Sequence, residues 1–125
     1  MLRYGLFFLK KGGFLIKEKI IQKSILEYLQ YHPDIAWAER MNVGAHVISD
    51  KNSRRYVRYA FKGCSDIIGQ LKNGKILAVE VKSEKGVLSD FQREFIDKVR
   101  SNSGIALMAR SIDDVQKALD KNSCL

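Results

Sequence analysis

Cysteine is scarce in this chain and proline scarcer, with two and one among 125 residues. Cys64 and Cys124 make no disulfide framework. The absence of a Cys-x-x-Cys or paired Cys/His spacing argues against a thiolate metal site. Cys64 opens an apolar stretch and reads as a small buried side chain, while Cys124 sits in a fraying terminus. Both fit a reducing cytoplasm. Pro33 marks the end of a first helix. No internal repeat, linker or low-complexity tract is present, and no apolar run reaches membrane-spanning length. The patch Leu6, Phe7, Phe8, Leu9 is too short for a signal-peptide core and runs into Lys10 and Lys11. Residues 1–16 therefore read as a packing or dimer-contact arm on one domain, 1–125, with its core at about 17–120. Acidic residues are in deficit: 14 against 22 basic, for a net charge of +8 and a pI near 9.6. That balance points to a polyanionic partner, nucleic acid or an anionic membrane surface. No helix is basic on one face and strongly apolar on the other, which ranks the membrane last.

Between residues 17 and 30, Ile21, Ile25, Tyr28 and Leu29 form the stripe of an amphipathic helix. Residues 35–41 read as a strand, 44–53 as a loop and 56–62 as a strand. This middle region is basic, with Arg40, Lys51, Arg54, Arg55, Arg58 and Lys62 interleaved with Tyr56, Tyr59 and Phe61. His46 falls in the loop as a surface residue and His32 at the helix end. Residues 63–71 and 76–82 form a hairpin around Asn73-Gly74. Ser89 and Gln92 have the S-x-x-Q form of a capping box, opening a helix to about Ser101. A short buried strand, 104–109, and a last helix from Ser111 through Leu119 complete the order. Hairpins plus one crossover helix predict a mixed sheet flanked by helices.

Asp66, Glu80 and Lys82 stand in the otherwise apolar segments of that hairpin. Glu80 and Lys82, two apart on a strand, point to one face. A structural ion pair is the plain reading, but in a doubly covered strand such a pair is a poor source of stability. A two-residue Asn73-Gly74 loop would set Asp66 opposite Val81, on the wrong face. A three-residue loop, Lys72-Asn73-Gly74 with Gly74 left-handed, sets Asp66 opposite Glu80, and that loop is expected. Glu18 is centred on the apolar stripe of the first helix, with Gln22 one turn on. It reads either as a helix N-terminal acid tipped to water or as a third carboxylate of the site. Two like charges ~4 Å apart at an effective dielectric near 20 repel by roughly 4 kcal/mol. Three converging carboxylates would cost on the order of 10 kcal/mol, as much as a domain's whole stability. Lys82 offsets part of this; a hard divalent cation with oxygen ligands, Mg²⁺ or Mn²⁺, would offset the rest.

Asp66 followed by Glu80-Val81-Lys82 resembles the PD-(D/E)xK nuclease motif. The wider set is more specific: Glu18 with Gln22, Asn42-Val43-Gly44, Lys62-Gly63-x-Ser65-Asp66-Ile67-x-Gly69, Glu80-Val81-Lys82, Gly86-x-Leu88-Ser89-x-x-Gln92 and Ala109-Arg110-Ser111. Over residues 17 to 120 it resembles the VRR-NUC domain, the module of Fanconi-associated nucleases and of small stand-alone phage and bacterial proteins. Ser65 departs from the proline of the superfamily name. The resemblance implies an αβββαβ core plus a C-terminal helix. It implies that Glu18, Asp66 and Glu80, with the Val81 carbonyl, hold one or two Mg²⁺ ions and that Lys82 orients the attacking water. Gln92 is either the capping partner of Ser89 or a side chain aimed at the active centre, and the resemblance favours the second. Arg40, Asn42, Lys51, Arg54, Arg55, Arg58 and Lys62 are candidate nucleic-acid contacts of the kind that position phosphates without reading sequence. A homodimer cutting branched DNA, including four-way Holliday junctions, is the activity implied. The alternatives are a nuclease for flap, linear or single-stranded DNA, or a non-catalytic nucleic-acid-binding subunit.

Overall fold

A computed structural model describes residues 14–41, 44–49 and 51–122. Helix α1, Phe14–Tyr31, lays its apolar stripe on a sheet: Ile25 and Leu29 are fully buried, with Ile21, Leu26 and Tyr28 packed beside them. It begins earlier than its periodicity predicts. Glu18 is therefore its fifth residue and not a first-turn acid, so the helix-terminus reading of that side chain falls. At the other end His32 Nδ1 accepts the Asp34 N–H at 3.1 Å, a local turn that closes the helix ahead of the sheet.

Strands β1 (Ile35–Arg40), β4 (Ile67–Leu71), β5 (Ile76–Val81) and β6 (Ile105–Ala109) form a sheet in the order β1-β4-β5-β6. The first two pairings are antiparallel and β5–β6 is parallel, joined through helix α2 (Asp90–Ser101). Such a parallel connection needs a crossover element, which the Ser89 capping box starts at the expected place. The last helix, α3 (Ile112–Asn122), returns to the α1 side.

Alternation along the strands divides the core between the two faces. Ile67, Leu77, Val79, Val81, Leu107 and Ala109 pack with α1 and α3, while Ala78, Ala106 and half-buried Ile68 pack with Ile96, Phe95 and Val99 of α2. The fold is thus a mixed four-stranded sheet flanked by helices, consistent with a PD-(D/E)xK-like nuclease.

The middle region departs from expectation. Residues 44–49 are not a loop but strand β2 (Gly44–Ser49), paired antiparallel with β3 (Arg54–Tyr59) in a separate two-stranded ribbon. Strand β3 is rich in arginine and tyrosine, β2 is of mixed composition, and neither enters the core sheet. The strand expected at 56–62 overlaps β3 only in part, while β2 was not expected. His46 accordingly lies in a strand.

Candidate active site

The β4–β5 turn sets the geometry of everything nearby. Leu71 N–H donates to Lys75 O at 2.8 Å, and Gly74 N–H to Leu71 O at 2.8 Å, with Gly74 at φ +96°. This is the three-residue loop, and it pairs Ile67 with Val79 and Ile68 with Ala78. Continued by one step, the register sets Asp66 opposite Glu80. Strand β4 itself starts only at Ile67, shorter than the 63–71 expected. A turn over residues 61–64, closed by Cys64 N–H on Phe61 O at 3.1 Å, precedes Asp66. Asp66 stays tied to both neighbours: its carbonyl accepts from Met41 N–H at 2.7 Å and its Oδ2 from Val81 N–H at 2.8 Å.

Asp66 and Glu80 are both buried, at 8% and 3% exposure, on the face covered by α2. Gln92, in the first turn of α2, donates from Nε2 to Glu80 Oε1 at 2.8 Å. Its Oε1 meanwhile accepts the Ser89 N–H at 2.9 Å and its own N–H donates to Ser89 Oγ. The capping and site-directed readings of Gln92 are therefore compatible, because a carboxamide offers an acceptor to one partner and a donor to the other. Lys82 follows Glu80 onto the same side, its Nζ 3.8 Å from Glu80 Oε1.

Glu18 reaches the cluster around the end of β5. Its Oε1 accepts Ser83 N–H at 3.0 Å, and a Cβ on Gly86 would lie 3.2 Å from that oxygen and 3.1 Å from Lys82 Cδ. The tight space at Gly86 packs the lysine stem beside the glutamate. Glu18 makes no hydrogen bond to Asp66 or Glu80, although its charge is felt at Asp66. Among the described residues no three His, Cys, Asp or Glu side chains close into a ready-made metal cage.

Electrostatics follows burial. Desolvation first, and the Asp66 charge second, push the Glu80 carboxyl from its ordinary 4.5 up to about 8, with Lys82 pulling it partly back. Asp66 is raised too, mainly by burial, against the lowering effect of the Val81 N–H, Glu80 and Lys82. Glu80 Oε2 is buried with no hydrogen-bond partner among the described residues. Such an oxygen needs a proton or a cation. The donor set is all hard oxygen, and Mg²⁺ binds through one or two carboxylates plus waters and substrate phosphate more often than in an all-protein cage. The residues fit that ion. Cys64, by contrast, is buried, and burial with the Glu80 and Asp66 charges raises its thiol, which removes it as a nucleophile.

Arg40, Lys51, Arg54, Arg55 and Lys62 are all exposed. Arg58 lies in β3 opposite Ala45, and Asn42 lies outside the described residues. Two contributors had no assigned role in the sequence. Ser83 is buried, donates to Glu18 and accepts at its carbonyl from Arg110 Nη1; Arg110 in turn donates its backbone N–H to Asp114 Oδ2 at 2.8 Å. The Ala109-Arg110-Ser111 triplet, conspicuous only as part of the resemblance, thus fastens the loop after β5 to the end of β6.

A family model, the VRR-NUC domain, matches residues 16–113. The chain belongs to the VRR-NUC domain family. Membership makes this a nuclease domain, with DNA as the implied substrate. No curated protein matches the chain. The VRR-NUC match spans the first helix, the carboxylate hairpin, the Gln92 helix and the Arg110 turn in one segment.

Proposed function

We propose that this VRR-NUC domain hydrolyses DNA phosphodiesters with Mg²⁺, Mn²⁺ serving as a substitute, and acts on branched DNA such as four-way junctions as a cytoplasmic homodimer. The observation that carries the reading is the buried Asp66–Glu80 pair with its unpaired Glu80 oxygen beside Lys82. Asp66, Glu80 and the Val81 carbonyl, with Glu18 alongside, are the groups that would hold the ion. A bound Mg²⁺ supplies Lewis-acid polarisation of the scissile phosphate.

The chain's own groups supply the rest. Gln92 fixes one Glu80 oxygen, leaving the other free to face the ion. The Lys82 ammonium, half-buried and held by its ion pair, orients an attacking water and stabilises charge that develops on phosphate oxygens. Water adds to phosphorus, the bridging P–O bond breaks, and a phosphomonoester and a hydroxyl end result. The exposed cations Arg40, Lys51, Arg54, Arg55 and Lys62, with Arg58 and Asn42, are the proposed backbone contacts, and they hold DNA regardless of its sequence. A chain this small covers little of a duplex, so cutting both strands calls for two copies.

The test is cleavage of labelled four-way junction, flap, linear duplex, single strand and RNA side by side with Mg²⁺ or Mn²⁺, with molecular mass measured in solution. The junction is expected to be cut best. Asp66→Asn and Lys82→Ala are expected to lose cleavage by at least about 100-fold while still binding. Binding without cleavage of any DNA by the wild type would establish a non-catalytic module instead.

A further inference from the structure

Three residues of the turn that precedes Asp66 pack against α2. Phe61 packs edge-on against Phe95, ring centroids 4.9 Å apart. Lys62 Nζ sits 3.9 Å over the Phe91 ring. Gly63, at φ +87°, approaches so close that a Cβ there would lie 2.4 Å from the Phe91 carbonyl oxygen. Phe91 and Phe95, four apart, share one helix face. Phe61 is nonetheless 53% exposed and Phe91 45%. Two phenylalanines so exposed gain little from the core they border, and a stability account leaves them unexplained.

Their position is specific. Phe91 immediately precedes Gln92, which holds Glu80, and the Phe61 carbonyl closes the turn that ends two residues before Asp66. Both rings are therefore carried by segments that lead directly into residues of the carboxylate site.

We propose that Phe61 and Phe91 form a stacking platform for an unpaired nucleobase next to the phosphate being cut, with Lys62 exchanging its seat on Phe91 for a DNA phosphate when the base arrives. The occupant is set by charge and shape: flat, exposed rings beside a lysine, in a chain of net charge +8. Base–aromatic stacking is generally stronger than a cation–π contact at an exposed site, so the exchange is favourable. A fully paired duplex offers no free base face to these rings; a branch point, bulge or single strand does. The proposal rests on the nuclease reading and narrows its substrate to DNA with a base out of the stack.

Binding in EDTA tests it, because no cleavage is then involved. Three DNAs of matched length are compared: a duplex with one unpaired nucleotide, the same duplex with that nucleotide abasic, and a fully paired control. Wild type is expected to bind the unpaired-base duplex about 5- to 100-fold more tightly than the other two. Phe91→Leu and Phe61→Leu keep apolar bulk without a ring and are expected to lose most of that preference. Phe91→Trp is expected to keep it, which separates stacking from a folding defect. Equal binding of all three DNAs by wild type, or a preference that survives in the Phe61→Leu/Phe91→Leu double variant, overturns the platform. If the preference holds but no metal supports cleavage, the nuclease reading fails and the platform stands.

Discussion

Each carboxylate near Lys82 has a different partner, and that division of labour decides what a substitution does. Asp66 is anchored by the Val81 N–H, Glu80 by Gln92 and Glu18 by the Ser83 N–H. Gln92→Ala is expected to free Glu80 Oε1 and to weaken the α2 cap together, lowering the cleavage rate about 10- to 100-fold and stability by roughly 1 kcal/mol. Rate assays and thermal melting separate the two losses, since Gln92→Glu retains the cap but not the donor to Glu80. Gly63→Ala meets a backbone carbonyl at 2.4 Å in a left-handed conformation, so it must displace the turn that leads into Asp66. It is expected to cost more than about 2 kcal/mol by denaturant unfolding, followed through the single tryptophan, Trp37. How legible these roles were in the sequence differs by residue. Asp66, Glu80 and Lys82 stood out as charges among apolar neighbours. Ser83 and Arg110 did not, because Ser83 acts through its backbone N–H and carbonyl, which every residue type possesses, and the Arg110 side chain is spent on that carbonyl.

Among the elements, the β4–β5 hairpin carries the most consequence per residue. Register has a period of two, so one residue more or less in the turn moves Asp66 to the opposite face. Deleting Lys72 is expected to leave a folded sheet by circular dichroism but to abolish cleavage, whereas the surface change Lys72→Ser leaves the rate unaltered. Gly74 has open space around its missing Cβ, so Gly74→Ala costs only its backbone conformation, about 1 kcal/mol, and leaves the register intact. Helices α1 and α2, strands β1, β5 and β6, and the three-residue turn were all readable because burial imprints periodicity and capping imprints residue type. Of the β2–β3 ribbon only β3 was read in part, as a strand over 56–62, and β2 was read as a loop, since neither strand joins the core sheet. The start of α1 was misplaced for a related reason: its stripe marks the turns that touch the sheet, and the helix runs on beyond them.

For the molecule as a whole, burying two carboxylates together ties stability to pH. Glu80 titrates near 8 in the folded chain against 4.5 as its ordinary value, so between those limits the native state holds a proton that the unfolded chain has released. Its contribution is full below about pH 4.5 and is lost as pH rises through about 8. Asp66, also raised, acts in the same direction. In EDTA the melting temperature is therefore expected to fall from pH 5 to pH 8.5, and Glu80→Gln to flatten that slope. A divalent cation replaces the proton, so added Mg²⁺ or Mn²⁺ is expected to raise the melting temperature more at pH 8 than at pH 5.5.

The most direct measurement is cleavage of an end-labelled four-way junction by wild type and Glu80→Gln, each with Mg²⁺ and then with EDTA. Wild type cutting only with the metal, and Glu80→Gln failing to cut while still shifting the junction on a gel, is the expected result. Cutting that persists in EDTA, or a Glu80→Gln protein as active as wild type, would contradict a cation held at the buried carboxylate pair.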